Sequence, residues 1–142
     1  MDCDVALVGG GLSAGLIALA LRRKRPDVRV KIIEAGDRFG GNHTWSSFAT
    51  DLSAEGAELA APLIAHRWAE NSIRFPSLRR SFDAGYQSAT SERLNEAILA
   101  AVPEEDRHPS GPVAAVAADR VTLADQRVIR ARSVIDARGQ KL

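Results

Sequence analysis

Asp4-Val-Ala-Leu-Val-Gly-Gly-Gly-Leu-Ser-Ala-Gly15 decides the reading of this chain. An apolar run suited to a strand enters a triple glycine and continues into a small-residue stretch suited to a helix. Gly9, Gly11 and Ala14 fill the glycine positions of a GxGxxG/A turn. The first allows the tight turn, the second lets a pyrophosphate approach the backbone, and a small third residue lets helix and strand pack closely. The N-terminus of the following helix offers unpaired N–H groups and partial positive charge to phosphates. A bound dinucleotide is the expectation.

The next stretch completes a β-α-β unit. Leu12 to Arg25 carries apolar residues at helical spacing until Pro26, and Val28-Arg-Val-Lys-Ile-Ile-Glu34 is a β-branched run closing on a carboxylate. Glu34 lies about two dozen residues past Gly9, where a ribose-binding acid belongs. It can accept hydrogen bonds from both ribose hydroxyls, and its charge disfavours a 2′-phosphate and hence NADP.

Composition narrows the function classes. The 142 residues make one domain at most, and 19 basic against 18 acidic side chains leave a net charge of +1. There is no global field to recruit nucleic acid, so no nucleic-acid partner is expected. Cys3 is the single cysteine, which excludes an intramolecular disulfide and a cysteine-based zinc site and suits a reducing cytoplasm. His43, His66 and His108 lack metal-ligand spacing, and no metal site is expected. Val5 to Leu21 followed by Arg22-Arg-Lys-Arg25 imitates a membrane segment, but it is short, is interrupted by a triple glycine, and follows Asp2 and Asp4.

Further along, Ala35 to Thr50 reads as a Gly-rich loop containing Arg38-Phe-Gly-Gly41 and Asn42-His-Thr-Trp45. A helix is expected over Ser53 to Trp68, kinked or split by Pro62. Ser72 to Phe75 reads as extended, Gly85-Tyr86 as a turn or strand, and Ser91 as the cap of a helix over Glu92 to Ala101 with Leu94, Ile98 and Leu99 on one side. Pro103 to Pro112 reads as a charged surface loop. Val113 to Val116, Val121 to Leu123 and Val128-Ile129 predict a three-stranded meander, and Ser133 to Gly139 a further strand. The fold class expected is α/β, a Rossmann-like dinucleotide-binding domain with a parallel sheet and a small β-meander, incomplete because a parallel strand is an odd place to stop. Trp45, Trp68, Phe75, Phe82 and Tyr86 are expected to be core residues, and Asp51, Glu55, Glu58 and Asp83 solvated carboxylates.

Taken in order, Leu7-Val-Gly-Gly-Gly-Leu12, Ile33-Glu-Ala-Gly36, Gly40-Gly-Asn-His-Thr-Trp45, Arg74-Phe-Pro76 with Arg79-Arg80, Gly85-Tyr86, and Val128-Ile-Arg-Ala-Arg132 leading into Val134-Ile-Asp-Ala-Arg-Gly139 resemble the bacterial lycopene β-cyclase family. The resemblance spans essentially the whole chain and rests mostly on the Gly-Gly-Asn-His-Thr-Trp hexapeptide. It implies FAD, with Gly9, Gly11 and Leu12 at the pyrophosphate, Glu34 and Ala35 at the adenosine ribose, Arg38 and Gly41 beside the diphosphate, Val113 at the adenine, and Gly139 at a third nucleotide-contacting turn.

The activity implied is the redox-neutral, acid-catalysed cyclisation of the ends of lycopene to β-rings, with NAD(P)H serving to keep the flavin reduced. A cytoplasmic enzyme in peripheral contact with the inner face of the cytoplasmic membrane suits such a substrate, and Arg22 to Arg25 and Arg79-Arg80 are candidates for that contact. Family members run to several hundred residues, and their acidic catalytic motif lies beyond Leu142. Residues 1–142 are therefore expected to be an N-terminal FAD-binding domain with no catalytic residue of its own. A fragment of another FAD-dependent oxidoreductase or monooxygenase, or a truncated remnant without function, are the alternatives.

Overall fold

The computed structural model describes residues 1–139. In chain order the elements are β1 (Cys3–Val8), α1 (Leu12–Lys24), β2 (Val30–Ile33), β3 (Thr44–Phe48), α2 (Ala54–Ala60), β4 (Ile64–Trp68), β5 (Asn71–Phe75), β6 (Leu78–Phe82), β7 (Tyr86–Thr90), α3 (Ser91–Ala101), β8 (Arg107–His108), β9 (Val113–Ala117), β10 (Arg120–Leu123) and β11 (Val128–Asp136).

A six-stranded sheet in the order β8-β2-β1-β11-β10-β9 organises the chain. Strands β8, β2, β1 and β11 run parallel, while β9 and β10 join antiparallel. Period-two alternation sorts the apolar side chains of β1 and β2 between two cores. Leu7, Val30 and Ile32 face Ala14 and Ala18 of α1 and Leu94 and Ile98 of α3. Ala6, Val8 and Ile33 face Val121, Leu123, Ile129 and Ala131 of the meander. The architecture is α/β with a parallel sheet and a small meander, as the glycine turn and the flanking strands predict.

Tertiary pairing corrects several local expectations. The loop assigned to Ala35–Thr50 contains β3, which pairs antiparallel with β7 through Thr44 and Thr90 to Phe48 and Tyr86. The helix expected over Ser53–Trp68 stops at Ala60. Ser53 caps it by accepting the Gly56 N–H, Pro62 lies in the 3-10 turn Ala61–Leu63, and Ile64–Trp68 pairs with β7 as a strand. Thr90, one residue before Ser91, caps α3 by accepting the Arg93 N–H. Leu99 is exposed.

The surface loop expected at Pro103–Pro112 holds β8, whose backbone extends β2, and buried Asp106 pairs with Lys31 at 2.9 Å. The third meander strand and the last strand are one element. In β11, Val128–Arg130 pair with β10 and Ala131–Asp136 run parallel to β1.

Two of the aromatics expected in the core are on the surface: Trp68 is 48% exposed and Phe75 59%. Phe75 belongs to the β5–β6 hairpin, a separate two-stranded sheet that also exposes Ile73 and Leu78. The basic end of α1 is paired with its neighbours, Arg23 with Glu58, Lys24 with Glu55, and Arg25 with Asp27. These pairs are exposed and are worth little each. Among the described residues, no helix is long and apolar enough to cross a membrane.

Candidate functional site

A cleft of about 330 Å³ opens at the carboxyl ends of β1, β2 and β11. That is where ligands bind in open parallel sheets. Its walls come from four segments distant in sequence: the turn after β1 (Val8 to Gly11), the end of β2 (Ile33 to Ala35), the Gly40, Gly41 and His43 loop, and Ala137 to Gly139 after β11, with Val113 at the start of β9.

The glycine turn is shaped by what its missing side chains permit. Gly9 has φ +95°, a region that favours glycine, and a Cβ there would also press on the backbone of Ala137 and Arg138 at 3.0–3.1 Å. A Cβ on Gly11 would meet no atom within 4 Å, so that residue faces the open cleft. Gly11 is also the N-cap of α1, which has neither a side-chain cap nor an acid in its first turn. Its leading N–H groups and the positive end of its dipole are left for an anion.

Gly10 ties the turn to its surroundings. Its N–H donates to Glu34 Oε2 at 2.6 Å, its carbonyl accepts the Gly40 N–H at 2.8 Å, and a Cβ there would come within 2.6 Å of the Phe39 ring. Glu34 Oε1 accepts the Gly36 N–H at 2.8 Å. The carboxylate thus bridges the first turn and the loop after β2, with lone pairs remaining on both oxygens for further donors.

The Phe39–Gly41 bend is equally determined. Gly40 has φ +83°, and a Cβ there would approach the Ser91 carbonyl to 2.8 Å. At the far wall, the Arg138 side chain donates two hydrogen bonds to Asp136, from Nε at 2.8 Å and from a terminal nitrogen at 2.7 Å, and its backbone N–H a third at 3.2 Å. The side-chain bonds from Arg138 hold the Asp136 carboxyl below the ordinary carboxylate range.

Of the residues expected from sequence, Gly9, Gly11, Glu34, Ala35, Gly41, Val113 and Gly139 line this one cleft. Leu12 and Arg38 stand outside its lining. The Leu12 side chain packs against the helical core, and Arg38 is exposed. Ala14 is fully buried, the small third residue that the turn requires. Sequence reasoning missed Gly10, Gly40 and the α3 residues behind the bend. The triple glycine at 9–11 and the pair at 40–41 are the signals for Gly10 and Gly40, and nothing in the sequence signals the α3 residues. Asp51, Glu55, Glu58 and Asp83 are all exposed, and among the described residues no group of three His, Cys, Asp or Glu side chains is placed to hold a metal.

Fold and cleft define a Rossmann-like α/β protein. Solved structures share the architecture: 2-methyl-3-hydroxypyridine-5-carboxylic acid oxygenase superposes with a TM-score of 0.70 at 16% identity, over 94% of this chain and 38% of that one. A peptidyl tryptophan dihydroxylase gives 0.63 at 19% identity, over 99% and 33%.

Sequence comparison is narrower. The family model described as lycopene cyclase protein matches residues 4–142, and the chain belongs to that family. It is 41% identical to the lycopene beta-cyclase of Pantoea ananas over 96% of this chain and 35% of that protein. With the lycopene beta-cyclase of Pseudescherichia vulneris it shares 44% identity, again over 96% and 35%. The chain thus spans about a third of the length of these relatives.

Proposed function

We propose that residues 1–142 form the N-terminal FAD-binding domain of a lycopene β-cyclase. The observation that carries this reading is the convergence of Gly9, Gly11, Glu34, Ala35, Gly41, Val113 and Gly139 on one cleft, in a chain of the lycopene cyclase family. The open space before Gly11 and the uncapped start of α1 suit a pyrophosphate. Leu12 contributes through its backbone N–H, since its side chain faces the core.

Glu34, already oriented by Gly10 and Gly36, has acceptor capacity left for ribose hydroxyls. Ala35 lies beside it, Val113 offers its backbone to the adenine, and Gly41 and Gly139 allow close approach at the other walls. Arg38 lies just outside, as a cation beside the diphosphate. FAD, rather than NADP, matches an acid at the end of β2.

In the reaction inferred, protonation of a terminal alkene of lycopene gives a tertiary carbocation, the neighbouring double bond attacks it, and proton loss leaves a β-ring. The process is redox-neutral. Bound in its reduced form, the flavin supplies negative charge to stabilise that cation in a dry site, with NAD(P)H as its reductant. This chain's part is to bind and orient the cofactor; none of its carboxylates is assigned as the proton donor. A cytoplasmic location with peripheral membrane contact fits a hydrocarbon substrate.

The test is a chimera in which residues 1–142 replace the matching third of the Pantoea ananas enzyme in cells that accumulate lycopene. Formation of β-rings, lost on Gly11→Val, is the expected result. A folded chimera that takes up FAD yet leaves lycopene unchanged contradicts the cyclase reading.

A further inference from the structure

We infer that Asn95 on α3 is a positioning residue for the cofactor cleft, holding the Phe39–Gly41 bend against the glycine turn. The inference rests on the FAD reading above and extends it to a side chain outside the cleft lining. Asn95 Oδ1 accepts the Phe39 N–H at 3.0 Å across 56 residues of sequence. Phe39 is buried, and its ring packs where Gly10 lacks a Cβ. One residue on, the Gly40 N–H donates to the Gly10 carbonyl at 2.8 Å. A contact series therefore runs from α3 through Phe39 to Gly10, whose own N–H is held by Glu34.

The rest of the α3 start supports the same bend. The Ser91 N–H donates to the His43 carbonyl at 3.0 Å, and the Ser91 carbonyl lies against Gly40. These contacts are made by the Ser91 backbone and do not depend on its hydroxyl. Asn95 is different, because its side chain supplies the acceptor. Without it the Phe39 N–H, in a bend of positive-φ glycines, loses its partner beside the cleft.

The test compares the full chain with Asn95→Ala and Asn95→Asp by FAD titration and by amide hydrogen exchange without FAD. Asn95→Ala is expected to weaken FAD binding by about tenfold. It also speeds exchange at Phe39 and Gly40 while α3 amides stay protected. Asn95→Asp keeps an acceptor oxygen and restores both readouts, which a general loss of packing does not predict.

Unchanged FAD affinity and exchange in Asn95→Ala, or an Asn95→Asp variant as impaired as the alanine, overturns the inference. A wild-type chain that takes up no FAD contradicts the proposed function instead. Exchange at Phe39 then still decides whether Asn95 holds the bend: faster exchange in Asn95→Ala upholds that role and unchanged exchange overturns it.

Discussion

The Glu34 carboxylate accepts the Gly10 N–H at 2.6 Å, so the acid that closes β2 also clamps the turn that follows β1. Its other oxygen holds Gly36. Glu34→Ala removes both acceptors and is expected to cost about 1–3 kcal/mol of stability. FAD affinity should fall further than global stability alone explains. Chemical denaturation and flavin titration of the same variant check both.

Gly10→Ala places a methyl within 2.6 Å of the Phe39 ring and 3.0 Å of Glu34. Overpacking of this kind costs about 1–3 kcal/mol. Phe39→Leu should recover part of that loss, so a double-mutant cycle should show coupling between the two positions; additive effects would refute the contact.

The pair of buried Asp106 and partly buried Lys31 attaches β8 to the sheet, since Lys31 also donates to the Glu105 carbonyl at 2.7 Å. Asp106→Ala leaves the partly buried Lys31 ammonium with the Glu105 carbonyl but no counter-charge and is expected to cost about 1–3 kcal/mol. Glu58→Ala, which breaks the exposed pair with Arg23, should cost less than about 1 kcal/mol. Equal effects in urea denaturation would refute the distinction.

His108 supplies a pH dependence. Burial, aided by the charges of Lys31 and Arg127 and opposed by Asp106, lowers its pKa below the ordinary 6.5, and its Nε2 is buried without a partner. Below 6.5 the unfolded chain binds the proton more readily than the folded one, so stability falls with pH in that window. The contribution is complete above that value and is lost as pH drops through it toward the folded pKa. Denaturation midpoints at pH 7.5, 6.5 and 5.5 should decline in that order, and His108→Gln should flatten the trend.

The β5–β6 hairpin behaves differently from the sheet. It exposes Ile73, Phe75 and Leu78, and two-stranded sheets are marginally stable alone. Phe75→Ser with Leu78→Ser should raise solubility and change stability by no more than about 0.5 kcal/mol. A large loss in thermal melting would place these side chains in the core after all.

What was legible in the sequence was what local chemistry encodes. The strand at Cys3–Val8, the helix from Leu12 and the acid at Glu34 follow from apolar period, turn glycines and spacing. Strand β3 was not legible, because its partner β7 lies about 40 residues away and Thr44–Phe48 has no apolar alternation of its own. Strand β8 was hidden for a similar reason: two residues in a charged, proline-flanked stretch become a strand only because β2 offers an edge. Within the cleft, Gly9 and Gly11 are set by the turn itself. The reason for Gly10, a ring arriving from Phe39, and the role of Asn95 exist only once the chain has folded.

The measurement that bears most directly on the central claim is a parallel titration of the purified full chain with FAD and with NAD, followed by absorbance and fluorescence. Saturable FAD binding that exceeds NAD binding, and that Gly11→Val abolishes by filling the space before α1, is the predicted result. A folded chain that binds NAD and leaves FAD free would contradict the account.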